Sequence, residues 1–324
     1  MPIAKSSVAA KVAGNSLKVG PYTWAYRRTE VPTEVAMKDT PVLLLHGLGS
    51  SSFCYRTTLG LLGAEGYDAI APDWVGHGDS DKPAGFACTE AAYTEQLAQF
   101  IEASGIKKPF ALVVHGFVLG QFALRYAQEN PAQIERLMVL NTPLARNSKL
   151  RPELAAYKNP LPFMRPGSKT FDAANYSAGG SPYAMSFTDA QVYAKPYLES
   201  PVASEIISKT MDKLDFKKLA EAVDDGFYTW RVPTALCFGS SDAFIDLFSV
   251  FDFLESKRTN MKALTFSGKV GHMPQEDYPE QLHTNLMLWL TGSMEDWTTA
   301  QSKSLKMSKK GAVDGAPGGK VSRR

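Results

Sequence analysis

The stretch "ALVVHGFVLGQFALRYAQEN", residues 111–130, decides the fold. Its first half is a continuous apolar run that ends in glycine, which is typical of a strand buried on both faces of a parallel sheet. Its second half has the composition and spacing of a helix. A buried strand that turns directly into a helix is the repeating unit of a doubly wound sheet.

Strand and helix signals alternate along most of the chain. Apolar runs that predict strands lie within 41–47, 67–74, 110–116, 134–143, 232–242 and 261–272. Amphipathic patterns that predict helices lie within 55–66, 89–105, 121–131 and 279–292, and Gly105 follows the second of them as a helix stop. This alternation predicts an α/β fold with a doubly wound, mostly parallel sheet.

One region interrupts the alternation. Residues 145–228 are rich in Pro, Tyr and Ser and contain no strand-like run, so we interpret them as an inserted, mainly helical cap. The predicted organisation is then a basic flexible N-terminus at 1–20, a first core part at 21–144, the cap at 145–228, a second core part at 229–293 and a basic disordered tail at 294–324.

Basic residues are concentrated at the two ends of the chain. Residues 1–29 hold five Lys or Arg and no acid, and residues 300–324 hold seven with one acid, so the body between them is acidic. The tail either keeps the protein in solution or makes a weak contact with an anionic membrane surface. The acidic body and the lack of any such motif argue against a nucleic-acid partner.

The sequence limits the compartment only broadly. No apolar run approaches the ~18 residues of a membrane helix, so no transmembrane segment is expected. Three widely spaced cysteines indicate reduced thiols and an intracellular protein. The acid-free N-terminus, rich in Ala and Ser, is also typical of transit peptides, which leaves cytoplasm and plastid both open.

Polar residues follow four of the predicted strands. A His-Gly-Leu-Gly turn comes after the strand at 41–47, and an Asp-Trp-x-Gly-x-Gly segment starts at Asp73. Asp242 and His272 each lie just beyond the end of a later strand. Because ligands of such sheets bind outside the carboxyl ends of the strands, we expect these groups to meet at one edge.

Together these segments resemble the α/β-hydrolase fold superfamily over roughly residues 22–292. The segment "DWVGHGDSDKP", residues 73–83, and the Pro- and Tyr-rich cap resemble the haloalkane dehalogenase and epoxide hydrolase branch, including the plastid-type relatives of algae and plants. The resemblance implies the doubly wound sheet with an inserted cap that the alternation also predicts.

The resemblance assigns roles to four positions. Asp242 corresponds to the acid and His272 to the base of a catalytic triad, in which the carboxylate fixes the imidazole tautomer. The backbone N–H groups of Leu48 and Phe117 correspond to the oxyanion hole. From the residues alone, the less favoured alternatives are that Asp242 is a turn residue and His272 a solvated loop histidine. His46 is interpreted as structural, and His77 as solvated.

The nucleophile position of the family holds no reactive side chain. Matching the strand places Gly116 at this position, whereas matching the glycines of "GFVLG" places Val118 there. We prefer Gly116, because glycine tolerates the strained backbone of such an elbow, which costs other residues about 1–3 kcal/mol. Val114 and Val118, where the family has small residues, indicate a looser turn.

Two familiar chemistries are therefore disfavoured. The family binds halide through a Trp after the nucleophile and often an Asn after His-Gly, and here Phe117 and Leu48 lack side-chain N–H donors. Hydrolysis through an acyl-enzyme is also disfavoured, because the elbow has no nucleophilic side-chain atom to which an acyl group could bond. Cys54, just after the oxyanion loop, is the remaining candidate for a displaced nucleophile, although a lone cysteine is more often a packing residue.

Three functions remain open at this point. In the first, His272 and Asp242 act as a general base without a covalent intermediate, on a small hydrophobic molecule bound by a cap pocket that includes Tyr183, Tyr193 and Tyr197. In the second, the protein is a non-catalytic ligand-binding or scaffold protein. In the third, Cys54 is the nucleophile. No metal or cofactor is expected, since no Cys/His cluster has metal-ligand spacing.

Overall fold

The computed structural model describes residues 12, 14–166, 169–256 and 260–292. Its centre is an eight-stranded sheet whose spatial order is β1-β2-β4-β3-β5-β6-β7-β8. The strands are β1 Gly14–Val19, β2 Tyr22–Arg28, β3 Val42–Leu45, β4 Ala69–Pro72, β5 Phe110–His115, β6 Ile134–Leu140, β7 Thr234–Cys237 and β8 Met261–Leu264. Strands β3 to β8 pair in parallel, and β1 and β2 add an antiparallel edge.

The parallel strands form where the sequence predicts them. All residues of β3, β4, β5 and β7 are buried, because helices cover both faces of a doubly wound sheet. In the centre, Leu44 of β3 pairs with Val113 of β5, which in turn pairs with Met138 of β6. The carboxyl ends of these strands therefore open at one edge of the sheet.

The helices surround this sheet in two groups. They are α1 Arg56–Ala64, α2 Glu90–Ala103, α3 Leu119–Glu129, α4 Pro152–Ala155, α5 Ala173–Ala178, α6 Phe187–Glu199, α7 Pro201–Lys213, α8 Phe216–Gly226, α9 Leu247–Glu255, α10 Pro274–Asp277 and α11 Pro279–Thr291. Helix α1 packs against α11, whereas α3 packs against α2 and α8. Helix α2 begins where the Thr89 side chain accepts a hydrogen bond from Ala92 N, and Gly105 follows it at φ +68°.

The predicted cap region, 145–228, contains α4 to α8 and short 3₁₀ turns, and no strand among its described residues. Helix α8 returns to the core, where Arg125 and Gln128 of α3 donate to carbonyl groups of α8. Elsewhere in the cap, Gly180 O accepts a hydrogen bond from His272 N at 3.1 Å, so the cap also contacts the edge of the sheet at which the candidate site residues lie.

The prediction of a flexible N-terminus at 1–20 is wrong for residues 14–19. Residues Gly14–Val19 form β1, which pairs along its whole length with β2. The signal is weak because an edge strand is only partly buried and its polar and apolar residues alternate imperfectly. Residues 1–11, residue 13 and the predicted tail at 294–324 lie outside the described residues.

Candidate active site

The structure brings Asp242 and His272 together. They follow β7 and β8, and the Nδ1 atom of His272 lies 2.9 Å from Oδ2 of Asp242. Both side chains are buried. Within the described part of the chain, nothing hydrogen-bonds to Nε2, so the imidazole has its far nitrogen free for chemistry while the near one is held.

The Asp242 carboxylate is surrounded by donors. Besides His272, it accepts hydrogen bonds from Asn141 Nδ2 at 2.6 Å and from the backbone amides of Phe244 and Ile245 at 2.8 and 3.3 Å. Burial alone raises its pKa, but the His272 charge and the hydrogen bonds from His272, Asn141 and Phe244 outweigh burial and hold the pKa below its usual value. The carboxylate is therefore ionised and fixed in orientation.

Asn141 is a site residue that the sequence reasoning missed. It is the first residue after β6, with a left-handed φ of +38°. Its Nδ2 also donates to the Gly271 carbonyl at 3.3 Å, and its Oδ1 accepts from Gly239 N at 3.2 Å. One amide thus ties the loops that carry Asp242 and His272 to the end of β6. Its position directly after a buried strand was the available signal.

The elbow after β5 has two residues with positive φ. Gly116 has φ +81°, and Val118, which precedes α3, has φ +63° and ψ −73°. Leu119 N donates to Phe117 O at 2.8 Å, which closes a tight three-residue turn centred on Val118. A positive φ is strained for a β-branched residue, and here the turn and the start of α3 hold it in place. Neither register gives the corner a side chain that can attack.

Glycine at 116 also makes room for the loop opposite. A Cβ built on Gly116 lies 3.1 Å from Gly47 Cα, and one built on Gly47 lies 2.9 Å from Gly116 Cα. The His-Gly turn and the elbow therefore touch backbone to backbone.

One of the two predicted oxyanion donors, the Leu48 amide, is placed differently from the expectation. The Leu48 N–H donates to the carbonyl oxygen of Phe117 at 3.0 Å. A donor that is already bonded to the chain's own backbone is not directed at an empty oxyanion position, so in this conformation Leu48 contributes no open donor. The Phe117 ring is buried and its centre lies 5.4 Å from that of His272.

His115, the last residue of β5, supports the His272 backbone. Its Nε2 lies 2.9 Å from the His272 carbonyl oxygen, so Nε2 carries the proton and donates. Its Nδ1 is buried without a partner. Burial and the neighbouring His272 lower the His115 pKa to about 3, which keeps the ring neutral. The sequence reasoning gave this residue no role.

A segment of the cap covers the pair formed by Asp242 and His272, which we call the dyad. Gly180 O accepts a hydrogen bond from His272 N at 3.1 Å, and the Phe244 ring meets the His272 ring edge to face at 5.3 Å. The buried guanidinium of Arg151 stacks between the rings of Phe244 and Tyr176, 4.1 and 3.6 Å from their centres. On this side, the wall nearest the imidazole is therefore the aromatic ring of Phe244, and the buried Arg151 charge lies against that ring.

The three cap tyrosines that were predicted to line a pocket differ in their burial. Tyr193 and Tyr197 are buried in α6, and Tyr193 Oη donates to Glu276 Oε1 at 2.5 Å. Tyr183 is 49% exposed, so it lies outside the buried part of the cap, and its role in a pocket stays a prediction. It lies before α6 in a turn where its amide donates to Ser181 Oγ, and this turn directs its side chain towards solvent.

An ion-pair cluster joins the cap to the core beside this site. Arg56, at the start of α1, forms a bidentate pair with Glu276 and a second pair with Asp189 of α6 at 3.1 Å. Burial raises the pKa of Glu276 although Arg56 and Tyr193 oppose the rise. The cluster holds α6 against α10, the short helix that follows His272.

Cys54 does not have the surroundings of a nucleophile. Its side chain is fully buried, and burial together with Glu276 raises its thiol pKa far above the usual value, despite nearby Gln275, Arg56 and Ser50. A thiol that stays protonated is a poor nucleophile. The interpretation of Cys54 as a packing residue fits this environment.

Two further histidines are buried behind the site. His46 bonds to the Gly47 carbonyl and accepts from Trp74 N, as expected of a structural residue. His77 was expected to be solvated, but it is fully buried, and burial lowers its pKa to about 3. Its turn is covered by the cap, which a local sequence signal could not reveal.

Comparison with known proteins places this geometry in a family. The alpha/beta hydrolase family model matches residues 42–284, well over half of the chain. The chain therefore belongs to the alpha/beta hydrolase family. Within the described residues, no helix is long and apolar enough to cross a membrane.

Curated relatives match over a shorter stretch. A cis-3-alkyl-4-alkyloxetan-2-one decarboxylase of Shewanella oneidensis is 36% identical over 104 residues, which is 32% of each chain. A haloalkane dehalogenase of Mycobacterium marinum is 37% identical over 103 residues, which is 31% of this chain and 34% of its own. The chain thus matches about a third of the length of these relatives.

Solved structures match over nearly the whole fold. The haloalkane dehalogenase DbeA of Bradyrhizobium elkani superposes with a TM-score of 0.74 at 20% identity, over 88% of this chain and 99% of its own. A putative lipase of Acinetobacter baumannii superposes with a TM-score of 0.69 at 22% identity, over 90% and 96% of the two chains. At these identities the likeness concerns the fold.

Proposed function

We propose that the protein is a hydrolase-like enzyme in which His272, oriented by Asp242, acts as a general base without a covalent enzyme intermediate. The observation that carries this proposal is the buried dyad, with a 2.9 Å contact between Nδ1 and the carboxylate and no hydrogen-bond partner described for Nε2. A carboxylate that holds Nδ1 stabilises the imidazolium that forms when Nε2 takes a proton.

The chemistry follows from these two groups. Nε2 accepts a proton from a water molecule or from an acidic group of the substrate, and the oxygen or carbon that loses the proton becomes the nucleophile. In a hydrolysis, the water oxygen bonds to the electrophilic carbon, and the imidazolium then returns the proton to the leaving group. Since Gly116 and Val118 have no reactive atom, no bond to the protein forms at the elbow.

The substrate class is a small, mostly hydrophobic molecule. The groups packed around the imidazole are the rings of Phe117, Phe244 and neutral His115. Such a lining favours apolar ligands with few polar groups. The names of the two relatives, which concern haloalkanes and alkyl-substituted oxetanones, are in keeping with this class.

The test is turnover in ¹⁸O-labelled water. The full chain is incubated with alkyl-substituted oxetanones, medium-chain epoxides and 4-nitrophenyl esters, and products and protein are analysed by mass spectrometry. We expect label in the product from the first turnover, none in the protein, and loss of turnover in His272→Ala. His283→Ala is the matched control, because His283 lies on α11 and pairs with Glu65.

Two results would contradict the proposal. One is a covalent adduct or ¹⁸O label on the protein, which would show an enzyme-bound intermediate. The other is unchanged turnover in His272→Ala.

A second function, non-catalytic ligand binding, is favoured by one observation. The Leu48 amide is bonded to Phe117 O, so the oxyanion position lacks one of its two donors. When one of the two donors is missing, a developing negative charge loses about 3 kcal/mol of stabilisation. A small molecule that co-purifies with the protein and is recovered unaltered after long incubation would support binding over catalysis.

A further inference from the structure

The cap carries an exposed turn, residues Pro160–Arg165, that projects large apolar side chains. All six residues are exposed. Leu161, Phe163 and Met164 are 48%, 82% and 56% exposed, and they lie within four consecutive positions around the 3₁₀ turn Pro162–Met164. Single exposed apolar residues are ordinary, but three on one turn form a patch that marks an interaction surface.

The backbone of this turn has almost no free N–H groups. Prolines at 160, 162 and 166 have none. Leu161 N donates to Asn159 Oδ1 at 2.9 Å, Met164 N to Leu161 O at 3.0 Å and Arg165 N to Pro162 O at 3.1 Å. An unpaired N–H costs several kcal/mol in a lipid environment, so the absent or bonded donors lower the cost of placing this turn at the hydrated edge of a bilayer, where its carbonyl groups keep contact with water.

Basic side chains flank the apolar turn. Arg165 and Lys169 are exposed, and Lys158 is half-buried. Arg165 is anchored by the Asn159 carbonyl at 2.8 Å and lies 3.6 Å from Asp212, which is the acid that faces it. Bases beside exposed Leu, Phe and Met are the combination that binds the interface of anionic membranes.

We infer that residues Pro160–Arg165 insert into the interfacial layer of a lipid bilayer that contains anionic headgroups. Leu161, Phe163 and Met164 enter between the headgroups, and Arg165 and Lys169 lie at the level of the phosphates. A bilayer fits better than a protein partner, because a turn with few free N–H donors offers few hydrogen bonds to a partner chain. This inference is independent of the function proposed for the dyad.

The experiment is flotation of the full chain with vesicles. Vesicles of phosphatidylcholine alone are compared with vesicles of phosphatidylcholine and phosphatidylglycerol, for wild type, Phe163→Ser and Phe248→Ser. Phe248 is the matched control, since it is 78% exposed but lies on α9 outside the turn. We expect binding to the anionic vesicles that falls roughly ten-fold in Phe163→Ser and is unchanged in Phe248→Ser.

A spectroscopic reading checks insertion directly. In Phe163→Trp, the indole emission is expected to shift to shorter wavelength when anionic vesicles are added, and in Phe248→Trp it is expected to stay constant. Both variants replace an exposed aromatic residue and should fold.

Three outcomes overturn the inference. Absence of vesicle binding is the first. Equal binding of wild type and Phe163→Ser is the second, because attraction would then come from basic residues elsewhere, including the ends of the chain. The third is concentration-dependent self-association that Phe163→Ser abolishes in the absence of vesicle binding, which would assign the turn to a protein interface.

Discussion

The dyad and the elbow lie at the same edge of the sheet, but they differ in the polar groups that surround them. Around Asp242, one side-chain amide, two backbone amides and an imidazole all point at a single carboxylate. At the elbow, Gly116 has no side chain, and the neighbouring Leu48 amide donates to the Phe117 carbonyl. The Asp242 carboxylate and the His272 ring are thus held by several hydrogen bonds, whereas the elbow has no reactive side chain and a neighbouring amide is already bonded.

The first prediction tests whether the dyad is as strongly held as its contacts indicate. In Asp242→Ala, His272, Asn141 and the two backbone amides lose a buried acceptor. We expect the free energy of unfolding to fall by about 3–5 kcal/mol in urea titrations. Asp246→Ala is the control, because Asp246 only caps α9 by accepting from Phe248 N, and its loss should cost about 1 kcal/mol. Equal losses in the two variants would refute the contrast.

The second prediction concerns the acid limb of the stability profile. The Asp242 pKa is lowered in the folded protein, so its contribution is present above the unfolded pKa of about 3.9 and is lost as the pH falls through the folded value. We expect the stability of wild type to fall on acidification below about pH 4, and that of Asp242→Asn to fall less steeply.

Asp277 provides a control of opposite sign. Burial raises its pKa despite hydrogen bonds from Ser181 and Gly271, so its charge destabilises the folded state as the pH rises. Asp277→Asn should therefore not flatten the acid limb. Identical acid limbs for wild type and Asp242→Asn would rule out the stabilising role of the Asp242 charge.

The third prediction tests the elbow by comparing the stability of three glycine-to-alanine variants. Gly116→Ala meets both a φ of +81° and the Gly47 Cα at 3.1 Å, and should lose about 1–3 kcal/mol of unfolding free energy. Gly268 has φ +97° and open space, so Gly268→Ala isolates the backbone cost and should lose less. Gly85 has neither constraint, and Gly85→Ala should be neutral within about 0.5 kcal/mol. A neutral Gly116→Ala would show that the elbow is looser than described.

The fourth prediction concerns the reactivity of the cysteine thiols in the native protein, where we expect no measurable reaction. Cys54, Cys88 and Cys237 are all buried thiols, and burial raises the pKa of each. Iodoacetamide at neutral pH should therefore leave the native protein unmodified over the time in which the urea-unfolded chain reacts fully, as measured by mass spectrometry. Rapid labelling of Cys54 alone would revive it as a displaced nucleophile.

Sequence reasoning reached the sheet and the dyad because both leave local signals. A fully buried parallel strand is a short apolar run, and Asp242 and His272 each follow such a run directly. The edge strand β1 was missed because its residues are mostly exposed and its basic charges suggested a flexible end.

The remaining errors concern contacts between distant segments. Asn141 gains its role only when the ends of β6, β7 and β8 meet, and although it follows a buried strand, "VLNTP" does not indicate the two loops to which its side chain bonds. The Leu48 amide depends on the path of the Phe117 carbonyl, which is set by the turn at Val118. His77 was misjudged as solvated because its burial depends on how the cap covers the core.

The contact between Gly47 and Gly116 also limits which side chains these two positions can hold. Each glycine occupies space that a side chain at the other position needs, with Cβ approaches of 2.9 and 3.1 Å. A side chain at position 116 would have to push back the His-Gly turn, and one at position 47 would have to push back the elbow. A side chain at either glycine therefore requires a matching shift of the other loop, so the two positions constrain each other in any variant of this protein.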